Sequence, residues 1–189
     1  TEGLGRLLLE QQLAKFGIES SWVPTDDLDA VRSALRPNTK MLFVETPANP
    51  TIKLTDLAGC SSIAAEAGVP LVVDNTFTPV IVSPAQLGAD IVVHSLTKFV
   101  NGASDVIAGV ICAAKQFVHK LMDLHTGRVM LLGPTMDPRI AYDIIQRLPH
   151  LALRMREHGA RAMIIAAKLN EMGVSVTYPG LPSHPQYRL

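Results

Sequence analysis

Two segments, Val72-Val73-Asp74-Asn75-Thr76-Phe77 and Val92-Val93-His94-Ser95-Leu96-Thr97-Lys98, each run from apolar residues straight into polar ones. If the apolar runs are neighbouring strands, Asp74 and Lys98 arrive at the same edge of one sheet. A carboxylate that keeps a pyridine nitrogen protonated and an amine that forms an imine with an aldehyde are the two protein groups that pyridoxal phosphate chemistry needs most. Ser95 and Thr97 flank Lys98 and offer hydroxyl donors where that cofactor's phosphate would sit. Each feature also has a plain reading. Asp-Asn after a strand is ordinary turn chemistry, and Ser and Thr can cap their own turn. The cofactor reading is preferred because all these groups fall at carboxyl ends of strands, where open α/β sheets bind ligands, and because an unpaired carboxylate at an apolar strand end is costly.

The elements that must position these groups can be read along the chain. Leu4 to Phe16 has helical composition and stops at Gly17, and Ser20 to Val23 is expected to extend as a strand. Asp27 caps a helix over Leu28 to Leu35, and Met41 to Val44 suits a strand buried on both faces. Two prolines make Thr46 to Pro50 an irregular loop. A helix from about Thr55 to Ala67, a strand Pro70 to Val73, a short helix Pro84 to Leu87 and a strand Asp90 to Val93 follow. Val106 to Ala113 reads as a buried strand and precedes a helix beginning near Lys115. This alternation predicts an α/β domain with a mostly parallel, helix-covered sheet.

From Asp137-Pro138 the pattern turns helical: one helix to about Leu148 and a longer one over Leu151 to Met172. Leu151, Met155, Ile165, Leu169 and Met172 form its packing stripe, while the charges from Arg154 to Arg161 are expected on a solvated face, with Glu157 and Arg161 at i,i+4 spacing. Gly159 either permits a close approach or weakens this helix. Val174 to Tyr178 is expected to start a strand, and the Pro-rich residues up to Pro185 read as a linker leaving a domain.

Composition narrows the function. The chain has 189 residues, 48% of them hydrophobic and 18% charged, enough to bury a sizeable core. Seventeen basic and seventeen acidic residues cancel, which leaves no field of one sign to draw in nucleic acid or an anionic membrane. The longest apolar stretch, Val106 to Ala114, falls short of the roughly 20 residues that span a bilayer. Cys60 and Cys112 have no metal-ligand spacing around them and read as reduced thiols, consistent with a cytoplasmic setting. No histidine spacing suggests a metal site. The chain begins at Thr1 without a charged-then-apolar leader and reads as an excerpt of a longer protein.

Beyond these motifs, several stretches resemble one family. They are ETPANP at Glu45 to Pro50, VVDNTF at Val72 to Phe77, GADIVVHSLTKF at Gly88 to Phe99, SDVIAG at Ser104 to Gly109, LLGPTMDP at Leu131 to Pro138 and LPHLALRMREH at Leu148 to His158. Together they are similar to the Cys/Met-metabolism pyridoxal phosphate enzymes, a family that includes cystathionine synthases and lyases and methionine γ-lyases, and most of all to its plant-type methionine γ-lyase branch. The resemblance implies the large domain of a PLP-dependent transferase-like protein (fold type I), with residues 1–150 as the main part of the cofactor-binding domain and 151–189 as a connecting helix and the start of a C-terminal domain.

The resemblance also implies site roles. Lys98 would bind the cofactor covalently and shuttle protons, Asp74 would pair with the pyridinium, Ser95 and Thr97 would hold the phosphate, and Asn49 would lie near the ring. Lys98 must be neutral for part of such a cycle, which burial would favour. The implied reaction is γ-elimination on a sulfur amino acid, from L-methionine to methanethiol, ammonia and 2-oxobutanoate, in a homodimer or homotetramer. Alternatives are a cystathionine γ-lyase, a γ-replacement synthase, or a folded piece that contributes an interaction surface without turnover. Gly102-Ala103-Ser104-Asp105 departs from the family's usual Gly-His-Ser-Asp. The residues that separate lyase from synthase are expected mostly outside this chain.

Overall fold

A computed structural model describes residues 4–189, so Thr1 lies outside the described residues. Leu4–Leu7 forms α1, and irregular helical turns continue it through Leu8–Gln12 and Leu13–Phe16 to a left-handed Gly17. The next helix, α2 (Leu28–Ala34), begins at Asp27, whose side chain accepts a hydrogen bond from the Ala30 amide at 2.9 Å. The first strand, β1 (Leu42–Glu45), leads through an irregular loop to α3 (Leu57–Glu66), capped in the same way by Asp56 on the Gly59 amide. After α3 come β2 (Leu71–Asp74), a short turn of helix at Pro84–Leu87, and β3 (Ile91–Ser95). A wide helical turn, Leu96–Val100, leads to β4 (Gly109–Ala113). The rest is helical: α4 (Lys115–Met122), α5 (Arg128–Leu132), α6 (Pro138–Arg147) and α7 (Leu151–Glu171).

The four strands form one sheet in the order β1-β2-β3-β4; the first three are parallel and β4 is antiparallel to β3. Val44, Leu71 and Val73 pack with Leu57, Cys60 and Ala64 of α3 into one buried cluster. A second cluster joins Leu96 and Val100 of the wide turn to Ile144 of α6 and to Leu151 and Met155 of α7. Burial drives both. The first packs α3 against β1 and β2, and the second holds the turn that carries Lys98.

The structure corrects several expectations. Phe43 and Ile111 remain 36% and 46% exposed, so neither β1 nor β4 is buried on both faces. In the four-stranded order each is an edge strand with one neighbour. Ser20–Val23 and Val174–Tyr178 form no strand, because neither finds a ladder partner among the described residues. Only the first half of the α7 stripe packs: Leu151 and Met155 are buried, whereas Ile165, Leu169 and Met172 are exposed. A Cβ on Gly159 would meet nothing within 4 Å, so no close approach explains that glycine.

The C-terminal segment packs back on the rest of the chain. Leu181 and His184 are buried, and His184 Nδ1 accepts the Gln186 amide at 3.1 Å. The Gln186 side chain then pairs with both backbone groups of Leu54: Oε1 accepts the Leu54 amide at 2.8 Å, and Nε2 donates to its carbonyl at 2.7 Å.

Candidate active site

At the carboxyl ends of the parallel strands lies a cavity of about 940 Å³. Asn49, Asp74, Ser95, Thr97 and Lys98 all line it. Asp74 is the last residue of β2, beside Glu45 of β1 and Val93 of β3 in the ladder. Its Oδ1 accepts the Thr76 amide at 2.9 Å, and among the described residues no protein donor reaches Oδ2. One carboxylate oxygen is thus fixed and the other is available. The loop behind Asp74 is organised by buried Asn75, whose Nδ2 donates to Val82 O at 3.0 Å and whose Oδ1 accepts Thr78 Oγ1 at 2.6 Å.

Thr76 also links the two strand ends, because its Oγ1 accepts the Ser95 amide at 2.7 Å. Ser95 and Thr97 then differ. Thr97 Oγ1 accepts the Ala108 amide at 3.0 Å and donates to the Ala108 carbonyl at 3.3 Å, which ties the wide turn to the residue before β4. The Ser95 hydroxyl has no protein hydrogen bond among the described residues, so it is the freer donor. Lys98 is exposed at the cavity, contrary to the burial expected of it, and its backbone at φ −91° and ψ −121° departs from the helical conformation of its turn. Its Nζ has no hydrogen bond or ion pair among the described residues.

Asn49 sits in the loop after β1, which closes on itself through Ala48 N to Lys53 O and Ile52 N to Ala48 O, both 2.8 Å. Ile52 takes φ 57°, a left-handed conformation that β-branched residues rarely adopt. The Asn49 amide donates to Glu45 Oε2 at 3.4 Å.

Other wall residues went unassigned in the sequence. Glu45 adds a second carboxylate beside Asp74, and its position at the end of β1 within the ETPANP stretch was the available signal. Phe99 lies 6.0 Å from Phe77 with the ring planes tilted by 58° and edge-on at 5.9 Å to His158, forming an aromatic wall. Arg154, expected on a solvated face, instead lines the cavity and donates to the carbonyls of Phe99 and Val100. Glu157 and Arg161 do form the expected exposed pair, at 2.9 Å.

Burial holds His94 below the usual imidazole range, against the opposing effects of the Asn75 backbone hydrogen bond and the Asp74 charge; its buried Nδ1 has no partner among the described residues. Burial, with Asp56 nearby, pushes the Cys60 thiol up to about 11, so this free cysteine is not a ready nucleophile. Asp105 is held down at about 2, first by hydrogen bonds from Arg147 at 2.7 and 2.9 Å and then by Asn101. Among the described residues no group of three or more His, Cys, Asp or Glu side chains could hold a metal.

The donor set fits pyridoxal phosphate. It offers an amine without a protein partner, a carboxylate with one oxygen available, a free hydroxyl and a side-chain amide around one cavity of suitable size. Comparison with known proteins points the same way. The profile of the family described as Cys/Met metabolism PLP-dependent enzyme matches residues 3–189. The chain is 47% identical over 173 residues to a methionine gamma-lyase of Arabidopsis thaliana, covering 91% of this chain and 39% of the relative. It is 40% identical to a canavanine gamma-lyase of Rhizobium leguminosarum, over 100% of this chain and 47% of that protein. An O-succinylhomoserine sulfhydrylase of Pseudomonas aeruginosa is 38% identical, with 96% and 46% covered. The chain therefore spans less than half the length of these relatives.

Proposed function

The chain belongs to the Cys/Met metabolism PLP-dependent enzymes, and from that premise we propose that the intact protein carries out γ-elimination on a sulfur amino acid, converting L-methionine to methanethiol, ammonia and 2-oxobutanoate. The observation that carries this reading is the convergence of Asn49, Asp74, Ser95, Thr97 and Lys98 on one cavity at the strand ends. Pyridoxal phosphate, when bound, supplies an electron sink for the substrate's α-carbon. Lys98 Nζ would anchor the cofactor, and as a free amine it would take and return protons at the substrate carbons. Asp74 Oδ2 accepts a hydrogen bond from a protonated ring nitrogen, a charge-assisted contact, while Thr76 keeps Oδ1 fixed. Ser95 would donate its hydroxyl to the phosphate, Thr97 stands beside it holding the turn to Ala108, and Asn49 would lie near the ring.

The similarity to an O-succinylhomoserine sulfhydrylase supports a second reading, a γ-replacement synthase, and cystathionine is a further substrate for the lyase reading. We extend the proposal to organisation. Residues 1–150 are the main part of the cofactor domain, and 151–189 connect to a C-terminal domain, with Gln186 and Leu54 as a contact between them. A cytoplasmic homodimer or homotetramer is supported by two free cysteines and by exposed Leu124, Leu131 and Leu132 around α5. Among the described residues no helix is long and apolar enough to cross a membrane.

The test uses the intact protein with pyridoxal phosphate, borohydride fixation and peptide mapping, then product analysis with L-methionine. A single adduct at Lys98 with methanethiol and 2-oxobutanoate released is expected. Adducts scattered over surface lysines would overturn the site assignment. Activity only with an O-activated homoserine and a thiol would favour the synthase.

A further inference from the structure

The turn that carries Lys98 does not close as a regular helix end. Asn101 N donates to Leu96 O at 2.9 Å and Gly102 N to Lys98 O at 2.8 Å, leaving the carbonyls of Phe99 and Val100 to find donors elsewhere. Both find the same residue. Arg154 Nη1 donates to Phe99 O at 2.6 Å and Nη2 to Val100 O at 2.9 Å. A planar guanidinium can hold two consecutive carbonyls in this way, whereas an ammonium acts as a point charge.

Arg154 reaches the turn because Leu151 and Met155 of α7 pack against Leu96 and Val100. That apolar contact is non-directional, so it brings helix and turn together without fixing the orientation of the backbone. The guanidinium supplies the direction. Room for it exists because residue 102 is glycine: a Cβ there would collide with Arg154 Nη1 and stand 2.9 Å from its Cζ. Arg154 and Gly102 both line the cavity that Lys98 lines.

We propose that Arg154 is the positioning residue for Lys98. By holding the two carbonyls that follow Lys98, it sets the direction in which the lysine amine enters the cavity. Lys98 Nζ has no protein partner among the described residues, so the backbone of its turn is the constraint that remains. The inference rests on the cofactor reading given above.

The experiment follows covalent capture of pyridoxal phosphate by the cofactor-free intact protein, as growth of the visible band against cofactor concentration, with borohydride mapping to Lys98. Arg154→Met is expected to lower the plateau rate at least tenfold while the half-saturating concentration stays within twofold. Arg154→Lys should recover only part of the loss. Gly102 sits at φ 74°, so Gly102→Ala adds backbone strain in either background; it should slow capture at least threefold more in the Arg154 protein, where the Cβ also meets the guanidinium, than in Arg154→Met.

Amide exchange over residues 96–102 of the cofactor-free protein should rise about tenfold in Arg154→Met, with the remainder of α7 unchanged. A wild-type plateau rate in Arg154→Met or Arg154→Lys, or an equal Gly102→Ala penalty in both backgrounds, would overturn the proposal. If Arg154→Met does not fold, Arg154→Lys decides. If the wild-type protein itself fails to capture the cofactor at Lys98, the cofactor reading fails, and unchanged exchange in the turn separately refutes the role of Arg154.

Discussion

Replacing Gln186 by Ala isolates one contact on which the C-terminal segment and the Asn49 loop depend. The Gln186 side chain satisfies both the amide and the carbonyl of Leu54, at 2.8 and 2.7 Å, in a half-buried setting. Each such bond contributes about 1 kcal/mol net, so losing both should cost about 2 kcal/mol. At about 1.4 kcal/mol per tenfold, this corresponds to roughly a 30-fold increase in the opening equilibrium of that contact. Native-state hydrogen exchange of the Leu54 amide reads it directly, because that amide loses its acceptor. Exchange in β2, whose amides pair within the sheet, should stay unchanged if the segment opens as a local unit. Unaltered Leu54 exchange would refute the reasoning, as would equal acceleration across β2, which would mean that the substitution acts on the whole fold.

Three other perturbations follow from the geometry. Gly159→Ala should stabilise the protein by about 1 kcal/mol, because the helix gains propensity and the new Cβ meets nothing within 4 Å; a lowered or unchanged melting temperature would count against this. Asn75→Ala should destabilise by roughly 1–3 kcal/mol, since it strips Val82 O of its side-chain donor while the Thr78 hydroxyl keeps Thr46 O at 3.1 Å; urea unfolding measures it, and an unchanged stability would contradict the burial argument. Asp105 sits at about 2 in the folded protein against an ordinary 3.8, so its pairing with Arg147 stabilises fully above about pH 4 and is lost as pH falls through 2. The stability difference between wild type and Asp105→Asn should shrink over that window, and a difference that stays flat down to pH 2 would show that the pairing does not set the shift.

The parts of this protein legible from sequence are those set by local rules. Apolar runs followed by polar residues located the ends of β2 and β3, and so Asp74 and Lys98. Asp27 and Asp137 each accept a hydrogen bond from an amide in the first turn of the helix that follows. What stayed hidden depends on contacts distant in sequence. Ser20–Val23 and Val174–Tyr178 have residues that can extend, but a strand exists only where another offers a ladder, and no local pattern reports that. The docking of Gln186 on Leu54 joins residues 132 positions apart.

Arg154 and Thr97 show the same limit within the site. Helical periodicity correctly placed Arg154 off the apolar stripe, but an off-stripe residue beside buried Leu151 and Met155 lies at the border of the contact, where a long side chain can turn inward. Phe99 and Val100 present two carbonyls there, and a guanidinium that satisfies them is more favourable than one left in water beside unpaired buried acceptors. Thr97 and Ser95 share a hydroxyl and a place beside Lys98, so type and spacing make them equivalent. The antiparallel return of β4 breaks that equivalence by bringing Ala108 against Thr97, which engages its hydroxyl in holding the turn, whereas the Ser95 hydroxyl has no protein partner among the described residues. Spacing therefore selected the residues that reach the cavity, and the path of the chain after Lys98 decides which of their hydroxyls is already paired with protein.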